Sequence, residues 1–265
     1  MRRLIPLALR IELVRLKRMP TWVAERGLVA RRKVSASERE SFGFLLDHHN
    51  SPLRRDDGGE VNAELQAGKE ANVARAVSLI DGICIEPFEI FSYHHAVGRP
   101  SRARGFRDGL ELREGRPSRG VGGGCCQVSN MLCLLALRSG LKLVERHRHA
   151  LDLFPDHQRT VPFGCGATVF YNTADLRIQN PLAQPVIVDL RVVDGELTGA
   201  LRTQGDPGVR VEVYEVDHCY SREAGHWYRQ NRIRRRFTDA RGRVVLDQEE
   251  LRNRGRVMYD IDEAA

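Results

Sequence analysis

The spacing of apolar residues changes several times along the chain, and each change predicts an element. Between residues 4 and 18, Ile5, Leu9, Leu13 and Leu16 recur on one side, with Arg10, Arg15, Lys17 and Arg18 nearby, which predicts a basic amphipathic helix. Residues 51–59, with Pro52, Gly58 and Gly59, predict a turn or a mobile loop. Val73, Ala76, Val77 and Ile80 share one face of a helix over 72–80, which Asp81-Gly82 ends. Short strands are expected at 83–85 and 89–92, around a turn at Glu86-Pro87. Residues 98–120, rich in glycine and arginine, predict a long loop with a hairpin at 108–113. The apolar run 128–137 stops at Ser139-Gly140 and predicts a buried helix.

After residue 140 a period of two takes over. In the strand expected at 141–149, His147 and His149 fall on one face and Arg146 and Arg148 on the other. Further strands are expected at 168–171, 176–178, 185–193, 196–201, 209–216, 232–237 and 243–246, the last two joined across Asp239-Ala240-Arg241-Gly242. Few helices interrupt this series, which argues against parallel βαβ winding. The expected fold is α+β: a mostly antiparallel sheet with the helix after residue 125 packed on it, and a basic helical segment in front. Three parts are expected: a basic N-terminal segment (1–60), a core domain (61–216) and an arginine-rich C-terminal extension (217–265).

Composition narrows the function. Apolar residues make up 42% of the 265, enough for a real core, and the net charge of +7 favours acidic partners. The arginines of 229–243 have no interleaved aromatics and form no recognised module, so no nucleic acid is expected. Six cysteines include no CxxC pair and no zinc-finger spacing, which fits a reduced, cytoplasmic protein. Arg2-Arg3 and the apolar residues 4–9 begin like a signal peptide, but Arg10 and Glu12 interrupt the run early. No stretch reaches the ~18 apolar residues of a membrane span. The N-terminal helix is therefore expected either to pack on its own domain or to lie peripherally on the anionic inner face of a membrane.

The candidate chemistry centres on Gly120-Val121-Gly122-Gly123-Gly124-Cys125-Cys126-Gln127. Glycines let other groups approach the backbone. A thiol in the first turn of a helix lies near unpaired N–H groups and the positive end of the helix dipole, both of which favour thiolate. Cys126 is thus the candidate nucleophile, with Gln127 and helix-start N–H groups as oxyanion donors. The alternative is a small buried apolar residue, the usual role of a free cysteine and the expected one for Cys133. His149, and next His147, are candidate bases, with Asp152 or Glu145 to orient them. Arg146, Arg148 and Arg159 could hold a carboxylate or phosphate. His94-His95 could join Cys126 and His149 at a metal, but no close ligand spacing supports this, and neither metal nor cofactor is expected.

Several separated motifs, in order, resemble the VanW family: the segment from Asn72 through Phe91-Ser92, the Gly122-Gly123-Gly124-Cys125-Cys126-Gln127 loop, Glu145-Arg146-His147-Arg148-His149, Phe154-Pro155-Asp156, the run from Pro162 to Asn172, and Asn180. The resemblance covers roughly residues 60–200, and Val213 to Asn231 looks similar to short, single-domain members. The family cysteine corresponds to Cys126 and its Arg-x-x-His to Arg146 and His149. Gly166-Ala167 stands where many members carry Asp-Ala. The resemblance implies a link to glycopeptide resistance and the cell envelope.

Two functions follow as expectations. In the first, Cys126 attacks a cell-wall precursor or related peptide in acyl transfer or amide hydrolysis, with His149 as base and Arg146 clamping a carboxylate. In the second, a non-enzymatic accessory module uses Gly122, Gly123, Gly124 and Arg146, with His147 and Arg159 beside them, to bind an anionic cell-wall intermediate or a protein partner.

Overall fold

The structure, a computed structural model, describes residues 7–54, 63–113 and 116–261. Ile5 of the predicted apolar stripe, the signal-like residues 2–6 and residues 55–59 of the predicted loop lie outside the described residues. The first half runs α1 (Leu7–Ala24), α2 (Ala36–Arg39), β1 (Phe44–Pro52), α3 (Ala63–Ile80), β2 (Cys84–Ile85), β3 (Ile90–Ser92) and α4 (Tyr93–Val97). A hairpin, β4 (Asp108–Arg113) and β5 (Arg116–Val121), leads into α5 (Cys126–Arg138). The rest is β: β6 (Lys142–Glu145), β7 (Leu151–Asp152), β8 (Arg177–Gln179), β9 (Val186–Val193), β10 (Glu196–Thr203), β11 (Val209–Glu223), β12 (His226–Asp239) and β13 (Val244–Val257).

The fold is α+β. Among the described residues, four sheets have the orders β1-β10-β9-β2, β3-β8-β6, β4-β5 and β11-β12-β13-β7. All pairings are antiparallel except that of β13 with β7. Helix α5 lies at the centre. Val128, Met131, Leu132, Leu134, Leu135 and Leu137 are all buried, and α5 packs against β1, β10 and α3. It begins at Cys125 with no side-chain cap. A missing cap costs about 1 kcal/mol, whereas each buried leucine contributes roughly 2 kcal/mol, so burial decides that this helix forms.

The strand expected at 141–149 ends at Glu145. Beyond it Arg146 turns inward to donate to the carbonyls of Gly164 and Gly166, so 146–149 leaves the ladder. The strand expected at 168–171 is a turn closed by a Phe170–Ala174 bridge, with Asn172 at φ +63°. The C-terminal strands are much longer than their apolar pattern suggested, and the boundary expected at 216 falls inside β11. The cause is a polar inward face: Arg229, Asn231, Ile233 and Arg235 alternate on β12 and are each at most 3% exposed.

Those inward groups are paired, as buried polar groups must be. Arg235 donates to Glu250 and to the Leu141 carbonyl, both at 2.7 Å. Asn231 donates to the Phe163 carbonyl at 3.0 Å, and Arg229 makes a two-point pair with Asp156 at 2.7 and 2.9 Å. The C-terminal sheet is thus fastened to the loop 146–166 through polar contacts, with Arg146 also donating to Asn253 Oδ1 at 2.9 Å.

Candidate functional site

The glycine loop before α5 is held from three sides. Asn72 of α3, fully buried, donates to the carbonyls of Arg107 and Gly123, both at 2.9 Å, and accepts from the Arg107 N–H at 2.8 Å. Gly123 lies against the β4 backbone so closely that a Cβ there would sit 2.4 Å from the Gly109 carbonyl oxygen. Gly122 and Gly124 have φ of +84° and +97° and pack under Pro100 and Lys69. The three glycines therefore meet protein atoms and let the loop fold tightly against α3 and β4. A cleft of about 540 Å³ lies beside Gly68, Phe106 and Asp108, and Cys126 does not line it.

Cys126 occupies the first turn of α5, half-buried, and its Sγ lies 3.7 Å from the Val169 carbonyl oxygen. Burial pushes the thiol up from its ordinary value, and Glu111 adds to the rise. The helix-start field that would favour thiolate is outweighed by desolvation. Gln127 Nε2 donates to Ser51 Oγ and to the Pro52 carbonyl, both at 2.8 Å, so its amide ties α5 to the end of β1. Cys125 faces inward, its Sγ 3.9 Å from the Asn72 carbonyl oxygen.

His149 lies nearby on a surface loop. Its Nδ1 is 2.7 Å from Thr168 Oγ1 and its Nε2 3.0 Å from Asn130 Oδ1. Because an amide oxygen only accepts, Nε2 carries the proton and Nδ1 accepts from the hydroxyl. Desolvation of the ring nitrogens, with Arg146 and Arg159 adding to it, lowers the imidazole to about 4, although one edge of the residue faces solvent. Asn130 Oδ1 also accepts from the Ala167 N–H at 2.9 Å, and a Cβ on Gly166 would come 2.5 Å from it. This contact accounts for glycine at 166. Cys126 and His149 thus border the same short segment, one through Val169 and the other through Thr168, and both His149 nitrogens are engaged elsewhere than the thiol.

The remaining predicted residues are placed as follows. Arg146 spends its guanidinium on Gly164, Gly166 and Asn253. His147 Nε2 lies 2.8 Å from Glu145 Oε1, and Arg159 pairs with Asp152 and Asp156. Among the described residues no group of three or more His, Cys, Asp or Glu side chains is placed to hold a metal. Sequence reasoning missed Asn130, Thr168 and Asp175, whose roles appear only through contacts distant along the chain.

His94 packs instead at Asp175, with its ring 5.7 Å from that of Tyr171 and Nδ1 3.9 Å from Asp175 Oδ1. Asp175 also accepts from Ser92 Oγ at 2.6 Å and from the His94 N–H at 2.9 Å. Burial lowers the His94 pKa. Below its unfolded value of about 6.5 the unfolded chain takes up a proton that the folded chain refuses, so stability falls as the pH drops. His94→Phe, which keeps a ring against Tyr171, is expected to flatten the loss between about pH 7 and pH 5. Urea unfolding of both proteins across that range checks this; identical slopes would exclude His94 as the source.

The family model described as VanW-like protein matches residues 68–202, from α3 through β10. The chain belongs to the VanW family. The Vancomycin B-type resistance protein VanW of Enterococcus faecalis (strain ATCC 700802 / V583) is 26% identical over 170 residues, 64% of this chain and 62% of that protein. Uncharacterized protein YoaR of Bacillus subtilis (strain 168) is 33% identical over 129 residues, 48% of this chain and 40% of that protein. The chain thus spans less than two thirds of the length of either relative. No solved structure matches it. The VanW family is linked to vancomycin resistance, and its matched region here contains the glycine loop, α5 and the 145–149 segment. Helix α1 and strands β11–β13 lie outside that region.

Proposed function

We propose that this VanW-family protein is a non-enzymatic accessory module of the cell envelope that binds an anionic cell-wall intermediate. The observation that carries the reading is the state of Cys126: a thiol raised by burial, beside a main-chain carbonyl, with no imidazole bonded to it. A cysteine nucleophile needs a thiolate or an adjacent base. Arg146 then acts as a positioning residue: its three hydrogen bonds hold the loop that presents Arg148 and His149 at the surface. Arg148, with no competing partner of its own among the described contacts, is the cation best placed to meet an anion.

The rival reading, a Cys-dependent acyl transferase or amidase, draws on the shared border of Cys126 and His149 along residues 167–169. Alkylation of the native protein against pH, followed by peptide mass spectrometry, separates the two. We expect Cys126 to label slowly, like buried Cys133 and Cys165, with its rise above the free-thiol value of about 8.5. Exposed Cys219 is the fast control. Rapid labelling of Cys126 that begins well below that value would instead establish an activated nucleophile and overturn the accessory reading.

A further inference from the structure

Helix α1 meets the body through the side that carries Val14, Arg18 and Trp22, each half-buried. Arg18 pairs with Glu145 of β6, and Glu25, just beyond the helix, pairs with Arg177 of β8. The opposite side carries Leu9, Leu13, Leu16, Pro20 and Val23, at i, i+4, i+7, i+11 and i+14, all exposed. Leu16 is 60% and Val23 69% exposed. A helix of a globular domain normally turns such a stripe to the core and its charges to water. Here, besides the side turned to the body, a second apolar stripe is left facing outward over about 22 Å of helix, at 1.5 Å per residue.

The helix also carries four basic residues, Arg10, Arg15, Lys17 and Arg18, against one acidic residue, Glu12; Arg18 is engaged by Glu145 and Arg15 lies against Glu12. Lys17 borders the apolar stripe on one side, and Arg15 lies beyond it on the other. We infer that α1 is an interfacial helix that seats the Leu9–Val23 stripe in the surface of an anionic lipid bilayer, with its basic flanks on the headgroups. Charge selects this occupant. Two copies joined stripe to stripe would bring like-charged flanks together, whereas anionic lipid satisfies the leucines and the cations at once. Among the described residues no helix is long and apolar enough to cross a membrane, so α1 would lie along the surface. The inference does not depend on the proposed function, because the helix would dock whether the body binds or catalyses.

Vesicle flotation of the full chain tests it, using phosphatidylcholine vesicles with and without phosphatidylglycerol. The wild type is expected to float with the anionic vesicles, less so at high salt, and poorly with pure phosphatidylcholine. Leu13→Glu with Leu16→Glu should lower anionic-vesicle partitioning by about tenfold or more, since both side chains leave the apolar phase. These side chains are exposed, so far-UV circular dichroism should be unchanged. The milder Leu9→Ser with Leu13→Ser supplies the same comparison if the charged pair disturbs folding. Equal flotation of wild type and variant would overturn the inference, as would equal binding to neutral and anionic vesicles. So would a wild-type dimer that becomes monomeric in the variant while neither binds lipid; the stripe would then be a self-association face.

Discussion

Asn72→Ala is expected to lower the unfolding free energy by about 3–5 kcal/mol. The side chain is fully buried and makes three hydrogen bonds to main-chain groups, two at Arg107 and one at Gly123. Truncation leaves the Arg107 N–H and the Gly123 carbonyl without their partner, each at a cost of about 1–3 kcal/mol when water cannot reach it, while the Arg107 carbonyl keeps the Gly122 N–H. The substitution also leaves a cavity between α3 and the glycine loop. Urea unfolding with an unchanged m-value would give the loss directly. A loss below about 1 kcal/mol would mean that the loop is held by its own turns and not by Asn72. Asn72→Asp should do little better, because it keeps the acceptor for the Arg107 N–H but loses both donors and buries a charge.

Gly68→Ala poses a contest between two effects of opposite sign. In mid-helix, alanine is favoured over glycine by about 1 kcal/mol. A Cβ at position 68, however, would sit 1.8 Å from the Asp108 carbonyl oxygen and 3.2 Å from the Gly109 Cα. Both are backbone atoms, so α3 and the β4–β5 hairpin must move apart. Overpacking of this kind costs about 1–3 kcal/mol and at times more, and a backbone clash lies at the upper end. The net expectation is destabilisation by about 2 kcal/mol, visible as a lower melting temperature. Gly43→Ala, where nothing lies within 4 Å of the added carbon, should stay within about 0.5 kcal/mol of wild type. Equal melting temperatures for the two variants would contradict the close approach of α3 to β4.

The sequence disclosed parts of this fold unevenly, for physical reasons. Helix α5 was legible because its apolar run and its Ser139-Gly140 stop are local signals, and the α+β class followed from the period of two after residue 140. The helix read as starting at residue 72 begins at Ala63, because its first turns bury Gln66 and set Gly68 against the β4 backbone, residues that carry no apolar period. Strands β12 and β13 were seen only in part, since arginine and asparagine fill inward positions that a hydrophobic pattern marks as outward.

At the candidate site, placing Cys126 in the first turn of a helix was possible from the glycines before it and the apolar run after it. Its protonation was not, because that depends on burial and on Val169, more than forty residues away. Arg146, the arginine of the family motif, looked like a ligand clamp, but Gly164, Gly166 and Asn253 accept its hydrogen bonds. For α1 the amphipathic character could be read, but the direction in which its apolar side points could not.

The fastening of the C-terminal sheet has a consequence for how this chain is divided. The family match ends at residue 202, before β11 begins. A protein cut there would leave Arg146 without Asn253, the Leu141 carbonyl without Arg235 and the Phe163 carbonyl without Asn231. It would also expose the α5 and 146–166 surfaces that those strands cover. The region matched by the family model, taken alone, is therefore expected to fold less stably than the chain that carries β11–β13. A recombinant fragment should extend through Val257, the last residue of β13.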